Sequence, residues 1–153
     1  MQLTQMSDYA LRLLMYAAAH AGRLVTIAEV AQVHAISQAH LMKVTHALAQ
    51  AGFLETVRGK GGGLRLARDA SRIVLGDVVR ATEPHFQLVE CFGEGHGCAL
   101  GGHCRLAGVL DEALGAFMGR LDACTLADLV PPRSGAAQWQ LRLARARPER
   151  GAA

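Results

Sequence analysis

Residues 91–104, CFGEGHGCALGGHC, constrain the fold of this chain more than any other stretch, because they hold three cysteines, two histidines and five glycines. A segment so rich in glycine has few side chains to bury and a large backbone entropy to lose, so packing alone cannot hold it in one conformation. Cys91, Cys98 and Cys104 can converge on one point if the glycines let the backbone wrap around it, as a metal ion or an iron–sulfur cluster requires. The stretch predicts a loop that is ordered by a bound inorganic group.

Charge is distributed unevenly along the 153 residues. Residues 1–70 hold seven Lys/Arg and four Asp/Glu, a net charge of +3; residues 71–130 hold four and eight, a net charge of −4; residues 131–153 hold five and one, a net charge of +4. A basic first half is expected if that half faces a polyanion, although a chance distribution on a solvated surface remains the alternative. The apolar fraction of 51% with only 5% aromatic residues favours helices over sheets.

The N-terminus lacks the pattern of an export signal, and no uncharged run approaches the roughly 20 residues of a membrane span. We therefore predict a cytoplasmic protein with no membrane partner. In that reducing compartment the clustered cysteines are expected to be ligands or redox centres, although four cysteines could formally make two disulfides.

The first helix is predicted from apolar residues at helical spacing between residues 9 and 18, followed by Gly22. Ser7 is placed to cap this helix and Asp8 lies in its first turn. A carboxylate at this position is favoured by the helix dipole, which is sufficient reason for its presence.

Two short helices follow, one capped by Thr26 and one capped by Ser37, and they are joined by a tight turn. This pattern predicts a helix-turn-helix, whose second helix presents its N-terminal residues to base edges in the major groove. Gln can pair with adenine and Lys with guanine or a phosphate. The candidate DNA-contacting residues on this helix are Ser37, Gln38, His40, Lys43 and His46, with Ala39 exposed among them.

A glycine-rich basic hairpin is predicted directly after the helix-turn-helix. Residues 53–57 and 64–67 have the character of strands, and RGKGGG lies between them at residues 58–63. Such a hairpin is known as a wing, and its Arg58, Lys60 and Arg65 suit phosphates or the minor groove. A phosphate-cradling nucleotide loop is excluded, because Gly61 stands where such a loop needs Ser or Thr and the spacing before it differs.

The second half of the chain is predicted to hold a short strand and helix over residues 73–81 and a long amphipathic helix over residues 106–121. The apolar stripe of that long helix predicts either core packing or a dimer seam shared with the first helix. One more short helical turn is expected before residue 130. Residues 131–153 are rich in Pro, Arg, Ala and Gly and predict a basic, mobile tail.

This order of elements resembles the family of iron–sulfur winged-helix transcriptional repressors, and within it the nitric-oxide-sensing branch. The likeness runs from residue 1 to about residue 130 through MQLTQMSDYALRLL, HLMKVTHALAQAGFLETVRGKGGGLRL, IVLGDVVRATEP and LDACTLADLV. It implies a mainly α fold: a winged helix-turn-helix with a small two-stranded wing and a long C-terminal dimerisation helix. The implied division is a DNA-binding domain at 1–83, a cluster-binding loop at 84–104, a dimerisation helix at 105–130 and a tail at 131–153.

The resemblance also implies a cofactor and its ligands. The three loop cysteines of the family carry over to Cys91, Cys98 and Cys104. In some nitric-oxide-sensing members a carboxylate near the start of the first helix reaches across the dimer as the fourth ligand, and it matches Asp8. His96 and His103 are the local alternatives. A 4Fe–4S cluster is favoured, with a 2Fe–2S cluster as the other form.

The implied function is repression of genes through a palindromic operator bound by a homodimer, with nitric oxide as the signal. Nitrosylation of the cluster is expected to release the DNA. One alternative is an iron–sulfur-homeostasis or redox-responsive regulator of the same family, whose usual histidine ligand is replaced here by Ala107. Another is a zinc-stabilised DNA-binding protein, which the residue types permit. No enzyme is predicted, because the chain lacks a C-x-x-C motif and a general-base constellation. Cys124 is interpreted as a small packed apolar residue.

Overall fold

Helices dominate the computed structural model, which describes residues 2–92 and 104–130 and, for Cys91, the backbone alone. The predicted mainly α winged helix-turn-helix is confirmed. The order of elements is α1 (Gln5–Ala19), α2 (Ile27–His34), α3 (Gln38–Gln50), β1 (Leu54–Val57), β2 (Gly63–Leu66), α4 (Leu75–Thr82), α5 (Arg105–Asp122) and α6 (Leu126–Leu129), with single 3-10 turns at Ala70–Arg72 and Glu90–Phe92.

Helix α1 begins two residues earlier than the predicted capping residue. Thr4 is the N-cap, and its side chain accepts a hydrogen bond from the backbone N–H of Ser7. The prediction that Ser7 caps the helix was wrong, because the Ser7 hydroxyl is buried and lies 2.7 Å from the Thr82 hydroxyl of α4. A tertiary partner, rather than the local preference of serine for helix starts, decides its role.

The helix-turn-helix forms where its capping residues predict it. Thr26 and Glu29 make a reciprocal capping box at the start of α2. The helix ends at Ala35, which adopts a left-handed conformation with φ of 53°. Ser37 then accepts a hydrogen bond from the backbone N–H of His40 and starts α3. The turn between the two helices is therefore fixed by local chemistry at both ends.

The wing is a two-stranded antiparallel sheet in which Leu54 pairs with Leu66 and Val57 with Gly63. At its tip Gly59 and Gly61 have positive φ angles of 102° and 81°, which side chains with a β-carbon rarely adopt. An isolated bridge between Val25 and Leu64 ties the base of the wing to the segment before α2. The predicted strand positions are confirmed to within one residue.

A single apolar core joins α1, α2, α3, the base of the wing, α4 and α6. Its fully buried members include Leu13, Leu14, Leu41, Leu48 and Leu126. Burying each such side chain contributes about 1.5–3 kcal/mol to folding. The core therefore includes a residue, Leu126, that follows α5 in the sequence.

The predicted strand at the start of residues 73–81 does not form. Val74 makes only an isolated bridge with Thr125, and the backbone N–H groups of Leu75 and Leu126 bond across the same junction. Beside it, Arg80 of α4 pairs with Asp122 at the end of α5, with an Nη2 to Oδ2 distance of 2.6 Å. Gly76 makes room for this pair, because a β-carbon there would collide with the Asp122 carboxylate. The end of α5 is thereby joined to α4.

Helix α5 itself has no buried residue. Leu106 is 63% exposed and Val109 61% exposed, although both belong to the regular apolar stripe of this helix. Leu110, Leu114 and Phe117 line an open groove of about 460 Å³ against residues 2–4 and 83–88. Across the described residues, no helix is both long enough and apolar enough to span a membrane.

Candidate nucleic-acid interface and metal-ligand positions

Helix α3 has one buried face and one exposed face. Leu41, Val44, Thr45 and Leu48 are buried against the core. The opposite face carries the predicted DNA-contacting side chains, all of them exposed: Gln38, His40, Lys43 and His46. The Ser37 hydroxyl is occupied at least in part by capping the helix. Donors and acceptors of the kind that read base edges are therefore presented outward from one helix start.

The start of α3 contacts α1 through two rings. Tyr9 and His40 lie with ring centroids 6.0 Å apart and tilted by 49°. Both residues line a small pocket together with Thr4 and Lys43. This contact was not predicted from the sequence, because the two residues are 31 positions apart and neither belongs to a shared pattern. The contact places Tyr9, which follows Asp8 in the sequence, against α3, the predicted DNA-reading helix.

The three predicted wing cations have different surroundings. Arg58 and Lys60 are exposed at the tip and make no ion pair with any residue that the structure describes. Arg65 lies on β2 and donates from Nε and Nη2 to the carboxylate of Glu55 on β1, at 3.0 and 2.9 Å. The free positive charge of the wing is concentrated at its tip, where a phosphate backbone would meet it first.

Asp8 lies in the first turn of α1 with 43% of its side chain exposed. Its two carboxylate oxygens accept from Arg12 one helical turn later, at 2.9 Å from Nε and 2.8 Å from Nη2. The spacing of four residues could have predicted this pair, since side chains at i and i+4 are neighbours on a helix. Exposed pairs of this kind contribute about 0–1 kcal/mol, so another cation could displace Arg12 from at least one oxygen.

The turn that carries Asp8 is fixed to the end of α4 by four hydrogen-bonding side chains. Glu83 accepts from the backbone N–H of Thr4 at 2.8 Å and from its hydroxyl at 3.1 Å. Ser7 and Thr82 add their buried contact. Burial alone would raise the pKa of Glu83, but hydrogen bonds from Ser7 and Thr4 outweigh it and hold the pKa below its usual value. Asp8 therefore has a firm backbone position.

His34, at the end of α2, lies within electrostatic range of the Asp8–Arg12 pair. Burial and then the charge of Arg12 lower the pKa of His34, while the charge of Asp8 acts in the opposite direction. Its Nε2 atom is buried and has no hydrogen-bond partner among the described residues, and its ring packs edge-on against Tyr16 with ring centroids 6.1 Å apart.

Of the predicted sulfur ligands, Cys104 is the one whose side chain is described. It is half-buried at the N-cap position of α5 and makes no capping hydrogen bond. Cys91 lies in the 3-10 turn Glu90–Phe92, with its backbone alone described. Cys98, His96 and His103 lie outside the described residues. Within residues 2–92 and 104–130 no three metal-binding side chains form a group, so convergence of the full ligand set stays a prediction.

Cys124 is half-buried rather than enclosed in the core. The guanidinium Nη1 of Arg120 lies 2.8 Å from its sulfur, and its carbonyl accepts from Leu75 at the junction of α4 and α5. The interpretation of Cys124 as a packed apolar residue therefore holds in part, because one side of the sulfur faces a cation.

A helix-turn-helix followed by a wing with a basic tip defines a DNA-binding transcriptional regulator. The Rrf2 family, described as "Iron-dependent Transcriptional regulator", matches residues 3–132. Because this match spans most of the chain, the protein belongs to the Rrf2 family. It is a regulator of transcription and not an enzyme, as its sequence predicted.

The chain is similar to proteins named HTH-type transcriptional regulator NsrR. It is 47% identical to that of Shouchella clausii over 132 residues, which cover 85% of this chain and 89% of that protein. It is also 47% identical to that of Bacillus subtilis over 132 residues, covering 85% and 90%. Among solved structures, T. potens IscR superposes with a TM-score of 0.69 at 25% identity, covering 84% of this chain and 85% of that chain. The predicted resemblance to this group of regulators is confirmed.

Proposed function

We propose that this protein is a cytoplasmic, homodimeric repressor whose iron–sulfur cluster senses nitric oxide and thereby controls its hold on a palindromic operator. The observation that carries the proposal is the 47% identity to NsrR regulators over 85% of the chain. The Rrf2 family match at residues 3–132 includes α1, the helix-turn-helix, the wing and α5. Nitric oxide as the signal rests on the resemblance of the motifs given above. The exposed carboxylate of Asp8 on a firmly held helix start supports it.

The proposed ligands are Cys91, Cys98, Cys104 and Asp8, with His96 and His103 as alternatives to Asp8. This donor set suits a cluster, because thiolates are the usual ligands of its irons. A carboxylate oxygen is a harder and weaker donor for such an iron than sulfur, which leaves that iron reactive toward a small diatomic molecule. Asp8 is half-exposed, and among the described residues its carboxylate is bound only by the displaceable Arg12. Cys104 makes no capping hydrogen bond that would compete with a metal. The residues present therefore fit the group, and a 4Fe–4S cluster is favoured.

When bound, the cluster supplies iron that reacts with nitric oxide. Residues around Asp8 would transmit to α3 whether its carboxylate is bound to the cluster. Thr4, Ser7 and Glu83 hold the helix start that bears Asp8, and Tyr9 next to it contacts His40 on α3. If Asp8 were a ligand, its release would return the carboxylate to Arg12, and the contact between Tyr9 and His40 would carry the resulting change in α1 to α3. A small change in the separation of two α3 helices is enough to weaken binding to a palindrome of fixed spacing.

Helix α5 is the proposed dimerisation element. Its regular apolar stripe contains Leu106 and Val109, both more than 60% exposed, and nothing that the structure describes covers them. An exposed apolar stripe on a helix of 18 residues is the kind of surface that a second copy of the same helix covers in a symmetric dimer. The proposed division of the chain follows: a DNA-binding unit at 1–83, a cluster loop at 84–104, the dimerisation helix at 105–130 and a basic tail at 131–153.

The proposed DNA contacts come from α3 and the wing. Gln38 and Lys43 suit an adenine and a guanine or phosphate in the major groove, with His40 and His46 beside them. Arg58 and Lys60 suit the adjacent backbone or minor groove. Ser37 and Arg65 are expected to contribute less to DNA binding. The Ser37 hydroxyl already caps α3, and Arg65 already pairs with Glu55.

Anaerobic purification, the visible spectrum, an iron count and a nitric oxide titration test the proposal. We expect brown protein that binds operator DNA and releases the DNA when nitric oxide is added. Asp8→Ala is expected to change the spectrum of the cluster. Asp77→Ala is the matched control, since Asp77 also lies in the first turn of a helix and pairs with an arginine. Operator binding that is unchanged by nitric oxide would refute the sensing mechanism, and an unchanged spectrum for Asp8→Ala would remove Asp8 from the ligand set.

An iron–sulfur-homeostasis or redox regulator of the same family is the second candidate. The position where that branch carries a histidine is Ala107, in the first turn of α5, and alanine has no ligand atom. A zinc-stabilised DNA-binding protein is the third, and colour distinguishes it, because zinc sites are colourless and iron–sulfur sites are brown. Zinc in stoichiometric amount, with no iron, would favour it.

A further inference from the structure

Four large apolar side chains are exposed within the described part of the chain: Met42, Val57, Leu106 and Val109. Leu106 and Val109 lie on α5, where a second copy of the chain is proposed to cover them. Met42 and Val57 lie on α3 and on the wing, the two elements proposed to contact DNA. Isolated exposed apolar residues are common on protein surfaces. Here, however, each of the four lies on a surface with a proposed partner.

Met42 lies on the outward half of α3. Leu41, one residue before it, and Val44, two residues after it, are buried, whereas Met42 is 61% exposed. It follows Ala39 by three residues and precedes His46 by four, so the three side chains form one row along the exposed surface. Lys43 is adjacent and also exposed. The row therefore runs through the middle of the predicted DNA-reading face and brings an apolar group into it.

The major groove offers one strongly apolar group, the C5-methyl of thymine. A methionine side chain is unbranched and polarisable and can adapt to such a methyl without satisfying any hydrogen bond. Lysine contacts to phosphates supply affinity but carry no sequence information. An apolar contact to a methyl group discriminates thymine from the other bases at its position.

We propose that Met42 contacts the C5-methyl group of a thymine in each operator half-site and so determines the preference for an A·T pair there. The inference rests on the proposed DNA binding by α3. It adds a residue to the predicted set that polar chemistry alone could not identify, since hydrogen-bonding side chains are the usual sign of base reading.

The test uses deoxyuridine, which differs from thymidine only by the missing methyl group. The cluster-loaded protein first selects an operator from random duplexes, and each thymine of the half-site is then replaced in turn by deoxyuridine. At one position we expect the affinity of the native protein to fall roughly fourfold per half-site, the equivalent of one methyl group taken out of contact. Met42→Ala is expected to bind the thymine operator more weakly by a similar factor and to bind both operators equally.

Lys43→Ala is the matched control. It changes a neighbouring side chain on the same face, so it should weaken binding while keeping the thymine to deoxyuridine ratio of the native protein. Thermal unfolding of Met42→Ala should match that of the native protein, because the side chain is exposed. A ratio that persists in Met42→Ala, or no methyl dependence at any thymine, overturns the inference and leaves the DNA-binding proposal intact. Failure to select any sequence overturns both.

Discussion

The two longest helices that the structure describes have similar apolar stripes and different surroundings. Helix α1 buries six of its 15 residues, among them Leu13 and Leu14, against α3, α4 and the wing. Helix α5 has 18 residues and buries none of them. Periodicity indicates which face of a helix is suited to burial, but it does not say whether the partner is in the same chain. Among the described residues α1 therefore finds its partners within one copy of the chain, whereas α5 does not, and this difference supports the proposal that a second copy covers α5.

The largest effect is expected from a substitution that leaves a cavity in the core around α1. Leu13→Ala removes a fully buried side chain and should lower the free energy of unfolding by about 2–5 kcal/mol. Urea denaturation of the native protein and the variant at equal concentration measures this. Leu13→Met, which keeps the volume, should cost less than about 1.5 kcal/mol. Equal losses for the two variants would contradict a close-packed core around α1.

The next effect concerns the exposed stripe of α5. Val109→Glu places a charge in the proposed dimer seam and should weaken self-association at least about tenfold, equivalent to about 1.4 kcal/mol. The fold of the DNA-binding unit should be retained, since Val109 is 61% exposed. Sedimentation over a range of concentrations measures the change. Asp111→Lys, an equally drastic change elsewhere on the exposed surface of α5, should have little effect. A monomeric native protein would refute the dimer proposal.

The starts of the two helices should also differ in how much one side chain stabilises them. Thr4 caps α1 and donates to Glu83, so Thr4→Ala should lower stability by about 1 kcal/mol, while Thr4→Ser keeps the hydroxyl. Cys104 precedes α5 without a capping hydrogen bond. Cys104→Ala should therefore leave the unfolding midpoint of the cluster-free protein almost unchanged. Comparable losses for both alanine variants would mean that Cys104 stabilises α5 directly.

The smallest expected effect is electrostatic and lies where α5 meets α4. The hydrogen bonds from Arg80 hold the pKa of Asp122 below its usual value, with burial acting in the opposite direction. A pKa that is lower in the folded protein contributes stability above the ordinary aspartate pKa of about 4, and that stability is lost as the pH falls through the folded pKa. Asp122→Asn should therefore lower the melting temperature slightly at pH 7, and this difference should shrink as the pH falls below about 4. A difference that stays constant across this range would refute the ion pair as its cause.

Much of the DNA-binding unit could be predicted from the sequence, because its signals are local. Thr26 with Glu29 and Ser37 cap α2 and α3 by contacts within three residues, and the positive φ angles at Gly59 and Gly61 belong to the wing tip itself. The bounds of α5 and the short α6 also agree with the pattern. The arrangement of Asp8 with Cys91, Cys98 and Cys104 stays a prediction that depends on a resemblance.

Other features depend on residues that are distant in sequence. Ser7 looks like a cap, but Thr82 at a separation of 75 residues recruits its hydroxyl. Val74 looks like part of a strand, but its partner is the single residue Thr125 beyond α5. Composition alone could not decide whether Met42 is exposed or belongs to the core. Each of these outcomes depends on which parts of the chain lie next to the residue after folding.

The sequence by itself determined the class of this protein: helices from periodicity, turns from capping residues and glycines, and a basic wing from its charges. These signals act over a few residues, so they survive without knowledge of the rest of the chain. Tertiary structure alone decided that α1 is buried while α5 is exposed, that Glu83 anchors the turn that bears Asp8, and that Leu126 closes the core. Burial and long-range hydrogen bonds depend on which surfaces meet, and that is a property of the folded chain as a whole.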